Sequence, residues 1–315
     1  MITCVSQIHI DTLLLLLKEK YIDIKVHTGT QLGYLGLVFD FSSDGSVRIT
    51  APGFVANLLS EVRETGCFVS PATEHLFEVR DTSIAELVCT ADKTYFHSEV
   101  AKLLYIGKRI FPEILTAVAY LTTRINVVDK DDMGKLGRVQ GYIRTAKDRG
   151  IRLHIGPGAI IVRAHVDAAY NVHRDSKSHT GCTVTVGDGG AIYFKSAKQK
   201  IVTKSSTEAE LVAASDSANV PLHVANFLRA QGYVIPPVIL YQDNKSAIAL
   251  FGRGYSTSDL TKHISLRYYW IKERTTSKEL VIEFCPTALM FANVLTKPLG
   301  GRQFLSERNT ITGWI

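Results

Sequence analysis

The sequence predicts an α/β protein, and three observations carry that prediction. β-Branched runs at 160–167, 182–186 and 191–195 follow one another at short spacing. From Ser206 onward, short apolar runs alternate with helical patterns. Residues 1–158 hold one hairpin pattern and then mostly helical ones. Strands in succession, then alternating with helices, give a mixed β-sheet flanked by helices in the C-terminal part. The N-terminal part is expected to be α+β.

In chain order, residues 3–20 read as a helix, with Val5, Ile8, Leu15 and Leu16 on one face and Thr12 as its polar interruption. The leucine run 13–17 lies between Asp11-Thr12 and Lys18. A membrane span needs roughly 20 apolar residues, so this run is expected to be a buried helix face. Residues 33–41 read as one strand, Ser43-Asp44-Gly45 as a turn and Val47-Arg48-Ile49 as the return strand of a hairpin. Residues 54–62 are apolar at helical spacing, and 64–94 read as a loosely ordered connection. Residues 98–124 predict two helices, with Pro112 near the start of the second. A further helix over 131–148 places Leu136, Val139, Tyr142 and Ile143 on one side. Gly150 and Gly156-Pro157-Gly158 then interrupt the chain.

Beyond that interruption, the 182–186 and 191–195 strands form a hairpin through Gly187-Asp188-Gly189-Gly190. Ser206 is the expected N-cap of a helix running toward Gln231, with Pro221 as a kink or break. A buried strand at 238–242 ends at Asp243. Helices from Asn244 and over 266–274, a strand at 279–285 and a last helix over 288–296 complete the order.

Composition narrows the class. Apolar residues make up 46% and charged residues 21%, which excludes a disordered chain, a collagen-like repeat and a disulfide scaffold. The five cysteines, Cys4, Cys67, Cys89, Cys182 and Cys285, lie far apart without zinc-site spacing and are expected to be reduced core thiols. No signal-peptide pattern opens the chain, so the expected location is the cytoplasm or nucleus rather than the exterior or a membrane. Residues 160–315 hold 18 Lys and Arg against 12 Asp and Glu, so the whole net charge of +6 sits there. Such asymmetry fits a polyanion-binding domain or a solubilising surface.

Three carboxylates occupy positions that a sheet-based site would use. Asp167 closes the first strand of the C-terminal part, Glu210 lies in the first turn of the helix after it, and Asp243 ends the next strand. Strand ends in one sheet lie roughly 5 Å apart, so the aspartates can share a pocket with the glutamate reaching in. Clustered anions cost Coulomb energy unless a cation neutralises them, and hard oxygen ligands suit Mg²⁺ or Mn²⁺. The same placements also serve simply to cap helices, and spacing alone leaves both readings open.

The ordered blocks Val166-Asp167-Ala168-Ala169-Tyr170, Thr180-Gly181-Cys182, Lys204-Ser205-Ser206-Thr207-Glu208-Ala209-Glu210, Gln242-Asp243-Asn244-Lys245-Ser246-Ala247-Ile248, Thr261-Lys262-His263-Ile264 and Leu295-Thr296-Lys297-Pro298-Leu299 resemble the ribonuclease H domain of copia-type retrotransposon Pol polyproteins. Upstream, Gly33-Tyr34-Leu35-Gly36 resembles the end of the reverse-transcriptase palm in the same polyproteins. Leu103-Leu104-Tyr105 through Pro112-Glu113-Ile114 resembles the segment linking polymerase to nuclease. The resemblance implies three parts: 1–62 a palm remnant, 63–158 a connecting, thumb-like helical segment, and 159–315 a ribonuclease H-like domain. The family's paired polymerase aspartates precede a stretch like Met1-Ile2-Thr3. The chain is therefore expected to begin just after the polymerase's metal-binding turn and to lack DNA synthesis of its own.

For the C-terminal part the resemblance implies cleavage of RNA in an RNA–DNA hybrid, with two Mg²⁺ (or Mn²⁺) ions. Asp167, Glu210 and Asp243 match three of the family's four metal-binding carboxylates. Where the family has Ala-Asp, this chain has Ala292-Asn293. Asn293 can ligate through its carbonyl but brings no charge, so the nuclease is expected to be weak or silent. The alternative is an inactive nucleic-acid-binding remnant of the element. Glu208 is expected to be a surface or capping residue. The expected partners are an RNA–DNA hybrid and the rest of the Pol protein.

Basic and aromatic residues flank these blocks. Lys195, Lys198, Lys200, Asn244, Lys262, His263 and Arg267 are the candidate nucleic-acid contacts. Tyr269 and Trp270 are expected to belong to the core on helical spacing.

Overall fold

The computed structural model describes residues 6–21, 23–80, 86–253 and 265–314. Its C-terminal sheet grows from a meander. β5 (Val162–Ala169), β6 (His179–Val186) and β7 (Ala191–Lys198) pair antiparallel, while β8 (Val238–Gln242) and β9 (Leu280–Phe284) run parallel to β5. The spatial order is β7-β6-β5-β8-β9. β5 is central and almost wholly buried, as a strand covered on both faces must be. On one face its Val162, Ala164, Val166 and Ala168 share a core with Ala209, Val212 and Ala213 of helix α6 (Ser206–Ser217).

The N-terminal half holds helix α1 (Gln7–Lys20), strands β1 (Gln31–Tyr34), β2 (Leu37–Phe41) and β3 (Val47–Thr50), and helices α2 (Pro52–Glu61), α3 (Thr90–Gly107), α4 (Leu115–Thr122) and α5 (Lys130–Ala146). β4 (Ile151–Leu153) closes a second antiparallel sheet, β1-β2-β3-β4. α5 opens with a reciprocal capping box between Asp129 and Asp132, and Arg124 holds the Asp132 carboxylate at 2.9 Å. The core of α2–α5 is completed by residues from beyond position 158: Ala191 and Phe194 of β7, Val294 and Leu295, and Phe304 and Ile311. The Thr116 hydroxyl donates to the Val294 carbonyl at 2.7 Å across that seam.

Several elements differ from the sequence expectation, each for a physical reason. The 33–41 strand is two strands, because Leu35 (φ 50°) and Gly36 (φ 77°) make a tight turn that pairs Tyr34 with Leu37. Two successive positive-φ residues suit the twist of a two-residue hairpin, and only Gly36 announced it. The leucine face of α1 is not buried: Ile8, Leu15 and Leu16 are 73%, 64% and 58% exposed. Helical spacing says which side is apolar, and among the described residues nothing packs there to bury it. α3 begins at Thr90, inside the stretch read as loose.

In the C-terminal half, the helix expected over 206–231 is capped by Ser205 rather than Ser206. It breaks at Ala218 into α6 and α7 (Asn219–Ala230). Pro221 falls in the first turn of α7, where its missing N–H costs nothing. α8 (Lys245–Arg253) and α9 (Ser265–Thr276) both lie in the connection from β8 to β9. The last expected helix is instead two short 3₁₀ turns, Thr287–Leu289 and Asn293–Leu295, followed by α10 (Gly301–Thr312). Cys182 and Cys285 are buried as expected, but Cys67 and Cys89 are exposed.

A pair of histidines joins β6 to the loop before it. His173 Nε2 lies 3.0 Å from His179 Nδ1, and His179 Nε2 lies 2.8 Å from the Ser196 hydroxyl. Burial pushes His179 down to about 3 and His173 to about 4, and does the same to His165, also to about 4. Because the folded values lie below the unfolded one, near 6.5, folding favours the neutral rings. Their stabilising contribution is complete above pH 6.5 and is lost as pH falls toward 4. By about pH 5 the loss comes to about 2 kcal/mol per histidine. We expect the urea midpoint to drop between pH 7.5 and 5, and to drop less in His179→Asn. Equal profiles for wild type and variant would contradict this.

Candidate metal centre

Because β5 and β8 are adjacent and parallel, they deliver Asp167 and Asp243 to the same end of the sheet. Asp167 is not the last residue of its strand, which runs on to Ala169, and its side chain is buried. Asp243 follows β8 directly and is half-buried. Glu210, buried near the start of α6, reaches the same point. One carboxylate oxygen from each of the three lies within 4.8 Å of the others. Oxygens on opposite sides of one divalent ion, each bound at 2.0–2.6 Å, are about 4–5 Å apart. The three residues therefore fit one hard cation.

The surroundings show what the cluster costs. Burial raises the Glu210 carboxyl well above its ordinary range, and the Asp167 charge adds to it, as does that of Asp243. The Gln242 side-chain amide opposes this, donating to Glu210 at 3.1 Å. Gln242 is itself fully buried and fixed by accepting from the Asn244 N–H at 3.0 Å. Asp243 accepts from the Thr287 hydroxyl at 3.0 Å. Asp167 accepts from the Thr296 hydroxyl and forms an ion pair with Lys297, whose Nζ lies 3.2 Å away.

Asn293 stands beside the triad without joining it. It is buried; its carbonyl oxygen accepts from Lys297 Nζ at 2.7 Å, and its amide donates to the Thr287 carbonyl at 3.1 Å. Glu307 of α10 touches Asn293 and accepts from the Val294 N–H at 2.9 Å and from Gln303 at 3.0 Å. Burial raises the Glu307 carboxyl. Glu208 turns back to accept from the Lys204 N–H at 2.7 Å.

The candidate nucleic-acid contacts divide. Lys195 donates to the Asp216 carbonyl at 3.0 Å, and Arg267 pairs with the Asp216 carboxylate at 3.0 Å. With Lys200, Asn219 and Trp270 they line a groove of about 670 Å³. Asp216 lies six residues beyond Glu210, about 9 Å along α6 at 1.5 Å per residue. Lys198 pairs with Asp175 at 2.7 Å, away from that groove. Asn244 caps α8 by accepting from the Ala247 N–H at 3.0 Å. Lys262 and His263 lie outside the described residues. Tyr269 is not core but 58% exposed; Tyr268 and Ile271 take the buried positions. Trp270 is half-buried.

Gln242, Thr287, Thr296 and Lys297 escaped the sequence reading as site residues. Thr296 and Lys297 stand in the Leu295-Thr296-Lys297 block, and Lys297 lies four residues after Asn293, yet nothing in a one-dimensional pattern says that the block folds over β6 onto Asp167.

No family model matches the chain. Among curated proteins, it is 30% identical over 213 residues to the "Retrovirus-related Pol polyprotein from transposon TNT 1-94" of Nicotiana tabacum, a match covering 67% of this chain and 16% of the relative. It is also 30% identical over 210 residues to the corresponding polyprotein from transposon RE2 of Arabidopsis thaliana, covering 66% of this chain and 14% of the relative. The chain thus spans about a sixth of the length of the curated relatives it matches. Among solved structures, LC11-RNase H1 isolated from compost aligns with a TM-score of 0.34 at 16% identity, over 43% of this chain and 91% of that one. The foamy viral protease-reverse transcriptase in complex with RNA/DNA hybrid aligns with a TM-score of 0.44 at 12% identity, over 82% of this chain and 29% of that one. Among the described residues no helix is long and apolar enough to cross a membrane. The antiparallel meander extended by two parallel strands gives the C-terminal part a ribonuclease H-like fold. Over two-thirds of its length the chain is a relative of the Pol polyproteins of copia-type plant retrotransposons.

Proposed function

We propose that the C-terminal domain hydrolyses the RNA strand of an RNA–DNA hybrid with a divalent metal ion held by Asp167, Glu210 and Asp243. The observation that carries this reading is the convergence of three carboxylates from β5, α6 and the end of β8 on one point. A bound Mg²⁺ or Mn²⁺ supplies Lewis-acid polarisation of a phosphate oxygen and acidification of a water. The protein's own residues prepare the place for it. Gln242 orients Glu210, Thr287 orients Asp243, and Thr296 with Lys297 orients Asp167. Such outer partners fix ligand geometry before the ion arrives. Lys195, Lys200 and Arg267 along the α6–α9 groove offer cations to phosphates, while 2′-hydroxyl and shape contacts distinguish the RNA strand. The rest of a Pol polyprotein is the proposed covalent or assembled partner, in keeping with the relatives.

A second reading, a nucleic-acid-binding remnant without turnover, is favoured by Asn293, a neutral residue bound to Lys297 where the resemblance calls for a carboxylate. One experiment separates the two. With an end-labelled hybrid and excess Mn²⁺ or Mg²⁺, we expect cleavage of the RNA strand only, none of a DNA duplex, and complete loss in EDTA. Intact hybrid at every metal concentration, together with binding that weakens linearly on a log–log salt plot, selects the silent remnant. Neither cleavage nor salt-sensitive binding defeats both.

A further inference from the structure

We propose that Lys297 is a resident cation of this centre, its ammonium standing in for a second divalent ion, so that the cluster takes one metal ion and not two. This rests on reading Asp167, Glu210 and Asp243 as a metal centre and says how that centre is charged. Lys297 Nζ lies 3.2 Å from one Asp167 oxygen and 3.4 Å from the other, and 2.7 Å from the Asn293 carbonyl oxygen. It therefore bridges Asp167 and Asn293 and fills the space between them. The lysine is held there by backbone as well as charge: the Thr296 N–H closes the 3₁₀ turn Asn293–Leu295 on the Asn293 backbone carbonyl at 2.9 Å, and the Lys297 N–H donates to the same carbonyl at 2.8 Å.

Charge balance points the same way. Three carboxylates carry three negative charges, which one divalent ion and one ammonium cancel. A second divalent ion would leave two uncompensated positive charges beside the buried Asp167, Glu210 and Asn293, a steep cost where screening is weak. Asn293 adds no charge to offset it, and its amide is already committed to the Thr287 carbonyl. Glu307 is not a spare ligand for a second ion, since one of its oxygens accepts from the Val294 N–H and the other from Gln303.

The test is a Mn²⁺ titration of the full chain without nucleic acid, followed by calorimetry and by electron paramagnetic resonance of free Mn²⁺. Wild type and Lys297→Arg are expected to bind one ion. Lys297→Met is expected to bind its ion at least 10-fold more tightly, because a repelling charge has gone. Lys297→Met with Asn293→Asp restores the balance for two ions and is expected to bind two. The proposal is overturned if wild type binds two ions of similar affinity, or if Lys297→Met leaves both affinity and stoichiometry unchanged. No binding by wild type or either Lys297 variant overturns the metal-centre reading itself, which separates the two failures. Lys297 is 41% exposed at its side chain, and Lys297→Arg controls for any loss of folding.

Discussion

Glu210→Gln is expected to remove hybrid cleavage while making the metal-free protein more stable. The substitution keeps the shape of a buried side chain and one acceptor oxygen for Gln242, but deletes a charge that burial and the neighbouring aspartates oppose. A carboxyl whose folded pKa is raised contributes full stability only below its unfolded value near 4.3, and that contribution is lost as pH rises. At pH 7 the wild type bears the cost and the Gln variant does not. The gain is about 1–3 kcal/mol, the scale for relieving a buried, imperfectly partnered group. Metal affinity should fall by at least about 100-fold, because outer partners alone cost 10–100-fold. Loss of several kcal/mol of transition-state stabilisation lowers cleavage on the order of 10³-fold. Urea midpoints without metal, Mn²⁺ titrations and hybrid cleavage read the three effects. A metal-free variant less stable than wild type would show that Glu210 is structural.

The same opposition of charge and fold explains what the sequence could and could not disclose. The three carboxylates were legible because each sits beside a strand or helix whose pattern is strong. β5 sets Val162, Ala164, Val166 and Ala168 in alternation, β6 ends in a Thr–Val alternation, β8 opens on four apolar residues, and a capping serine opens α6. Once those elements are placed, sheet geometry brings Asp167 and Asp243 together with no further information. The cap itself was misplaced by one residue, which changes nothing in the site. Harder to read were features decided by contacts between distant segments. Lys195, Lys198 and Arg267 looked like free phosphate contacts, yet they pair with Asp216 and Asp175. Lys297 carried no signature of its role, because its partner Asp167 lies far back in the chain. The exposed leucines of α1 mark the converse limit, since an amphipathic pattern specifies a face and not its cover.

Gly181→Val is expected to cost about 3 kcal/mol or more and to take the metal centre apart without touching a carboxylate. Gly181 sits opposite Asp167 in the β5–β6 ladder. A Cβ there would meet the Thr296 methyl at 2.6 Å, the Ala292 carbonyl at 2.8 Å and the Leu295 Cβ at 3.0 Å. Two of these contacts are backbone or backbone-proximal, so they cannot swing aside like the end of a flexible chain. The segment 292–297 must lift from β6 or the strand must bend, and overpacking of this kind costs 1–3 kcal/mol, occasionally more. The branched valine adds two methyl groups to a space already closed. Lifting the segment withdraws the Thr296 hydroxyl and the Lys297 ammonium from Asp167, leaving that buried carboxylate without its partners. A second penalty of the kind expected for a stranded buried charge follows. The glycine in the Thr180-Gly181-Cys182 block thus has a steric purpose, to let the turn that carries Asn293 and Lys297 lie flat on the strand facing Asp167. The variant's urea midpoint and Mn²⁺ affinity should both fall. A destabilised protein that keeps wild-type Mn²⁺ affinity would show that the turn packs on β6 without tuning the centre.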